Sequence, residues 1–291
     1  MQLFIHLLFT FMLFTTFSIS FYLIYKPTKL FHISHAFTIT LGAYGVYFFY
    51  HLLDLHIFIS ILLALIVSTL FGVLNELLFY KPLRSSSKKA GLNMLILSLG
   101  VYIVFQNLVS IFFGDDIKSL SKASVGVGNE FLGAYITDIQ IITIFSSIVV
   151  FLTTLYIWKF TKFGFAIRAI ATNPELSQNF GIPKNKVILF SFALGSFYAG
   201  LGGILVGFDV GITPTMGFSL LLYAIVVMII GGIENLLGIL AGAFILATVQ
   251  NLTAYYIDTK WMEAITYAIL ILFLMIKPYG VSGEKNKKVE I

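Results

Sequence analysis

The chain has 291 residues, of which 59% are hydrophobic and 11% charged, with a formal net charge of +5 and a mean hydropathy of +0.98. Soluble domains carry about 25% charged residues, so this chain cannot cover itself with a polar surface, and a water-soluble globule is excluded. With no cysteine, a disulfide framework and thiolate metal sites are excluded as well.

The first apolar segment, 3–25, has no Lys or Arg before Lys26. A signal peptide wants a basic start, a short apolar core and a small-residue cleavage site; this run predicts a retained first helix instead. In lipid every backbone N–H and C=O must be paired internally, which leaves helices or a closed barrel. Barrel strands alternate apolar and polar residues over segments of about 10. The runs here are continuous and about 20 residues long, the length a spanning helix needs. The fold class is therefore all-α, a polytopic transmembrane helical bundle forming one transmembrane domain over 1–291. Further spans are predicted at 30–50, 56–79, 92–113, 138–159, 187–208, 218–232, 236–256 and 262–277. The second contains His32, Ser34, His35, Thr38 and Thr40, so it is expected to be broken or re-entrant, and the count is eight or nine. The 30 Phe and 15 Tyr serve as lipid-facing bulk and interfacial anchors.

Short loops on the cytoplasmic side collect Lys and Arg. Alternating spans place Lys26 and Lys29, then Lys81, Arg84, Lys88 and Lys89, then Lys159, Lys162, Arg168, Lys184 and Lys186, then Lys277, Lys285, Lys287 and Lys288 on one side. Only Lys118, Lys122 and Lys260 fall on the other, 3 of the 18 basic residues. This predicts an external N-terminus and a cytoplasmic C-terminus. The positive charge thus reflects topology and implies no nucleic-acid partner. The largest external connection, 114–137, holds Asp115, Asp116, Gly126 and Gly128.

The largest internal connection, 160–186, predicts a short helix over 174–180. Asn173 is a good N-cap, Pro174 suits the first helical position, and Glu175 is favoured by the positive helix end. Gly181 fits the position just past the helix and Pro183 prevents continuation. Two turns are too few to be stable alone. Leu176 and Phe180, at i and i+4, form an apolar face that either packs on the protein's own membrane ends or docks into a cytoplasmic partner.

Gly195, Ala199, Gly203 and Gly207 recur at every fourth position, and Gly238 and Gly242 repeat the spacing. Small residues so spaced let helices approach closely in lipid; packing within the subunit or dimer is the plainer reading, a pathway-lining role the other. Ionisable residues are scarce at depth: Glu76 lies a turn before Lys81, and Asp209 and Glu234 sit at helix ends. That disfavours a secondary transporter driven by ion gradients. His32 and His35, at i and i+3, lack a third ligand nearby, so no metal is expected. No phosphate-binding G-x-x-x-x-G-K-[S/T] loop occurs, no catalytic set or cofactor is evident, and the chain is not expected to be an enzyme.

Several stretches together resemble the membrane permease subunits of ABC importers for branched-chain amino acids, and the first of the two related permeases in particular. His32-Ile33-Ser34-His35-Ala36 with Leu41-Gly42-Ala43-Tyr44 is similar to that family's Asn-Phe-Ala-His-Gly and Leu-Gly-Ala-Tyr. Glu76 with Tyr80-Lys81-Pro82-Leu83-Arg84, Gln106-Asn107-Leu108, Asn173-Pro174-Glu175 to Gly181-Ile182, Pro214-Thr215-Met216-Gly217, Gly231-Gly232 and Lys277-Pro278-Tyr279-Gly280 follow in order. The resemblance implies a multi-pass protein of a bacterial cell (inner) membrane. Its implied partners are a second permease subunit in a heterodimer, two cytoplasmic ATPase subunits and a periplasmic or surface substrate-binding protein that reaches the external face near 209–217. It makes 174–180 the coupling helix, seated in an ATPase groove, with Asn173, Pro174, Glu175, Leu176, Phe180 and Gly181 as contact and capping residues. The positions it implies along a substrate pathway are His32, His35, Gly42, Tyr223 and Gln250. Here the family's Asn is His32 and its Gly is Ala36, while Tyr223 and Gln250 stand where relatives often carry Lys and Glu. A joint loss of cation and anion is expected if the two positions adjoin, since one unpaired buried charge is costly. Urea and short amides, which relatives also handle, remain an alternative substrate class. A stand-alone secondary transporter or channel, or a non-transporting scaffold, remains an alternative to the importer.

Overall fold

Every predicted span is a helix in the computed structural model, which describes residues 1–86, 90–121, 128–131, 133–233 and 235–282. Lys88, Lys89, Lys122, Gly126, Glu234, Lys285, Lys287 and Lys288, used above, lie outside the described residues. In chain order the helices are α1 (Gln2–Thr28), α2 (His35–Val46), α3 (Ile57–Leu74), α4 (Lys81–Ser86), α5 (Ala90–Phe113), α6 (Asp138–Phe160), α7 (Lys162–Thr172), α8 (Pro174–Asn179), α9 (Lys184–Val210), α10 (Met216–Gly231), α11 (Leu236–Tyr256) and α12 (Met262–Ile276). A π-helical turn, Tyr47–Leu52, extends α2, and another, Asn75–Tyr80, fuses α3 to α4. Among the described residues, 7 helices are long and apolar enough to cross a membrane, and α10 is a shorter apolar one.

The second span starts later than 30–50 predicts. The chain leaves α1 through Lys29, whose φ of 54° is left-handed, and stays non-helical until His35. His35 contacts Ser20 of α1 at 3.1 Å, about 12 Å along the helix axis from Thr28. Helix α2 thus begins inside the bundle. Irregular backbone at such depth survives only where protein surrounds it, and here several of its polar groups find partners. The N–H groups of His35, Ala36 and Phe37 donate to the carbonyls of His32, Ile33 and Ser34 at 3.2, 3.0 and 3.1 Å, and Ile33 N–H donates to Ser98 Oγ at 3.2 Å.

Alternation of the helices gathers Lys26, Lys29, Lys81, Arg84, Lys159, Lys162, Arg168, Lys184, Lys186 and Lys277 at one end, called here the basic end, and leaves Lys118 and Lys260 at the other. At that opposite end a hairpin that the loop reading did not anticipate, β1 (Asn129–Phe131) and β2 (Ala134–Ile136), pairs antiparallel. The Gln2 side chain clamps it like a strand: its amide donates to Tyr135 O at 3.0 Å and its oxygen accepts from Tyr135 N–H at 2.9 Å.

Helix α9 runs through the middle, against α1, α2 and α3. A Cβ on Gly195 would fall 2.7 Å from the Ser20 carbonyl, and one on Gly207 2.7 Å from the Leu120 side chain. On Gly203 it would collide with the Ile39 carbonyl, and Gly42 of α2 meets the backbone of Gly200. Ala199 is fully buried in the same face. Gly238 and Gly242 of α11 sit against the carbonyls of Gly231 and Val227 in α10. Both small-residue runs therefore pack inside the subunit. Helix α1 is 72% buried and α12 only 6%, which places α12 outermost.

Because Gly203 leaves no room for a side chain, Gly203→Val should lower stability by about 3 kcal/mol. Thermal unfolding in detergent checks this, with Gly100→Ala, where nothing lies within 4 Å, expected to leave the midpoint unchanged.

Candidate functional site

The segment joining α6 to α9 forms the most distinctive surface of the basic end. Asn173 Oδ1 accepts from the N–H groups of Glu175 and Leu176 at 3.1 and 3.0 Å, and Pro174 occupies the first helical position. At the other end, Gly181, at φ 81°, donates to Gln178 O at 2.9 Å, and Ile182 N–H donates to Ser177 O at 3.0 Å. This is the paired closure by which a left-handed residue ends a helix. It stops α8 at Asn179 and leaves Phe180 as the C-cap, one residue short of the predicted 174–180.

Ahead of α8, the sequence reading took 160–173 as loop, whereas α7 is helical. Thr161 caps it by accepting from Gly164 N–H at 3.1 Å. Phe163, Ile167 and Ile170 pack inward at helical spacing, the signal by which the helix was legible. Arg168 donates to the Trp158 carbonyl and sits over the Trp158 ring, tying α7 to the end of α6. Phe165, Leu176 and Phe180 are 63%, 51% and 78% exposed. They border a groove of about 580 Å³ together with Ala169, Asn173 and Ile182. The face that was expected either to pack on the protein's own membrane ends or to dock elsewhere is thus left uncovered by the described residues.

Beside this segment, Arg84 of α4 forms a two-pronged pair with Glu76 in the π turn, at 2.9 and 2.8 Å. Glu76 is 1% exposed and Arg84 17%. The next turn carries Tyr80, whose hydroxyl lies 2.8 Å from His32 Nδ1 and 3.0 Å from Ser34 Oγ. His32 and His35 come together as predicted from their spacing, with ring centroids 5.6 Å apart. Ser20 Oγ donates its single proton to Phe17 O at 2.7 Å, so in the contact with Ser20 it is His35 Nε2 that donates. That fixes the His35 tautomer and leaves Nδ1 an acceptor. His35 Nδ1 and His32 Nε2 have no hydrogen-bond partner among the described residues. Both rings, and Gly42 packed on Gly200, are buried within the subunit. Among the described residues no group of three or more His, Cys, Asp or Glu is arranged to hold a metal ion.

Tyr223 and Gln250 lie in one cluster. They are joined through α12, on which their partners Glu263 and Thr266 stand one turn apart. Gln250 Nε2 donates to Thr266 Oγ1 at 3.0 Å, and the Tyr223 hydroxyl donates to Glu263 Oε1 at 3.5 Å. The two positions that depart together from the family pattern are therefore neighbours, and the cluster retains one acid, Glu263, supplied by α12. Glu263 and Thr266 were not singled out in the sequence, because only the packing of α12 on α11 and α10 brings them to Tyr223.

A family described as the permease component of the branched-chain amino acid transport system matches residues 3–274. The high-affinity branched-chain amino acid transport system permease protein LivH of Salmonella typhimurium is 31% identical over 226 residues, covering 76% of this chain and 72% of that protein. BraD, the corresponding protein of Pseudomonas aeruginosa, is 28% identical over 228 residues, covering 76% and 72%. Among solved structures, PsaBC from Streptococcus pneumoniae in complex with Fab aligns with a TM-score of 0.55 at 12% identity, covering 96% of this chain and 93% of that one, a likeness of fold alone.

Removing Arg84 would strand a buried carboxylate. Arg84→Met should destabilise by about 3 kcal/mol, less if water reaches Glu76. Glu76→Gln/Arg84→Met should recover most of the loss, as read by a double-mutant cycle of unfolding midpoints.

Proposed function

The chain belongs to the family of branched-chain amino acid transport permease components, and from that premise we propose that it is the membrane-spanning subunit of an ATP-driven importer that moves branched-chain or related neutral amino acids into the cytoplasm. The observation that carries this reading furthest is the capped, uncovered face of α8 beside the apolar groove. A two-turn helix whose ends are both fixed and whose apolar face has no partner among the described residues is suited to transmit a push from a rigid neighbour. The neighbour proposed is an ATPase subunit, one of two, because the chain carries no nucleotide-binding loop of its own.

The basic end is assigned to the cytoplasm by its excess of Lys and Arg. This puts α8 and the C-terminus inside and the N-terminus, the hairpin and 209–217 outside, where a substrate-binding protein would deliver. A second permease subunit completes the pathway. Helix α12, being the least covered span, and the Tyr223, Gln250 and Glu263 cluster beneath it are the proposed pathway side of this subunit. The fully buried His32, His35 and Gly42 act at one remove, by fixing where α2 begins. Branched-chain amino acids are preferred over urea or short amides because LivH and BraD are permeases for the former.

Glu175→Arg should reverse the charge in the first turn of α8, and Gly181→Leu should force a side chain into the left-handed region, disfavoured by about 1–2 kcal/mol. Each should abolish uptake by the reconstituted importer while membrane insertion stays normal; normal uptake with unchanged ATPase association would overturn the coupling role. Transport by the purified chain alone, driven by an ion gradient without ATPase subunits, would overturn the importer reading itself.

A further inference from the structure

A second groove at the basic end, of about 470 Å³, lies between the end of the α3–α4 helix and the start of α9. Leu77, Lys81, Arg84, Gln178, Lys184 and Asn185 line it. Its charge is one-sided. Arg84 is held by Glu76 through two of its N–H groups, which leaves three of its five donors uncommitted to that carboxylate. Lys81 and Lys184 add two further cations.

The depth of the groove follows from helix length. The continuous helix Ile57–Arg84 has 28 residues, about 42 Å of rise, against a hydrocarbon layer about 30 Å thick. At its start Phe58, Ile59 and Leu62 are exposed apolar side chains, so that end is in hydrocarbon. The exposed apolar side chains run on to Leu77 and Leu78 near the other end, about 30 Å along the axis, so the surplus length falls beyond them and sets Lys81 and Arg84 in the headgroup layer. Directly below the cations, Leu70, Leu74 and Leu77 are exposed along one helix face. A basic groove continued by an apolar track at the depth of the phosphates matches an amphiphile with an anionic head.

We propose that this groove binds the phosphate headgroup of an anionic phospholipid, with an acyl chain lying along Leu70, Leu74 and Leu77. The bound lipid links the end of α4 to Gln178 of α8 and the start of α9, so it would brace the coupling segment against a long span. The choice of the cytoplasmic leaflet, where anionic lipids are enriched, rests on the orientation proposed above; the binding does not.

Native mass spectrometry tests this on the full chain released from nanodiscs of phosphatidylcholine mixed with phosphatidylglycerol. The native chain should retain phosphatidylglycerol in preference to phosphatidylcholine. Lys81→Gln/Lys184→Gln should retain about tenfold less of it, while Lys81→Arg/Lys184→Arg and Lys260→Gln at the opposite end retain the native amount. Equal retention of both lipids, or retention unaffected by the double Gln substitution, overturns the proposal. Displacement of the lipid by millimolar inorganic phosphate would make the groove a free-phosphate site. Loss of ATPase association in the Gln variant with lipid retention unchanged would assign the groove to an acidic segment of that partner. Neither result bears on whether the chain transports amino acids.

Discussion

Close backbone contact between α9 and the helices around it is the constraint on which the rest of the molecule depends. In lipid, apolar side chains gain nothing by leaving one apolar surroundings for another, so helices associate through packing density and polar contacts. Glycine supplies the first by letting backbones touch. Gly195 admits the Ser20 carbonyl of α1, Gly203 admits Ile39 of α2, and Gly200 admits both Gly42 of α2 and Ser68 of α3. One helix thereby fixes three others, and the peripheral α5, α6 and α12 are left largely to lipid or to partner chains.

That tight centre is also what makes the break before α2 affordable. Residues 30–34 run from the basic end into the bundle without regular helix, and they and His35 are held because Ser20, Tyr80 and Ser98 reach in from α1, the π turn and α5. Two imidazole nitrogens there have no partner among the described residues. Tyr80 lies one turn from Arg84, and Arg84 borders the groove that also contains Gln178 of α8. The end of the α3–α4 helix is thereby tied to the start of α2, and it faces α8 across that groove.

Helix α8 combines local rigidity with an apolar face that no described residue covers. Its two caps hold α8 without help from the bundle, α7 anchors it through Arg168 and Trp158, and its apolar side chains face outward. An apolar face in water is unfavourable by itself, and its presence beside a hydrocarbon-sized groove is what a seated partner would relieve.

Membrane class, helical spans, basic asymmetry and both ends of α8 were all legible in the sequence, because each rests on short-range physics: run length, loop charge, and the capping preferences of Asn173, Pro174 and Gly181. The location of α2 was legible only as an anomaly, since the polar residues of 32–40 signal a break without saying where the helix resumes. Ser20 settles that, fifteen positions away in the chain. Likewise no local pattern ties Glu263 to Tyr223, or Tyr80 to His32; those meetings depend on how whole helices cross. Sequence by itself thus determined which segments leave water and at which end their basic loops collect, because burial in lipid is decided residue by residue. Tertiary structure alone decided which polar groups meet inside the bundle and which apolar face stays open, because both depend on the close approach of helices distant in the chain.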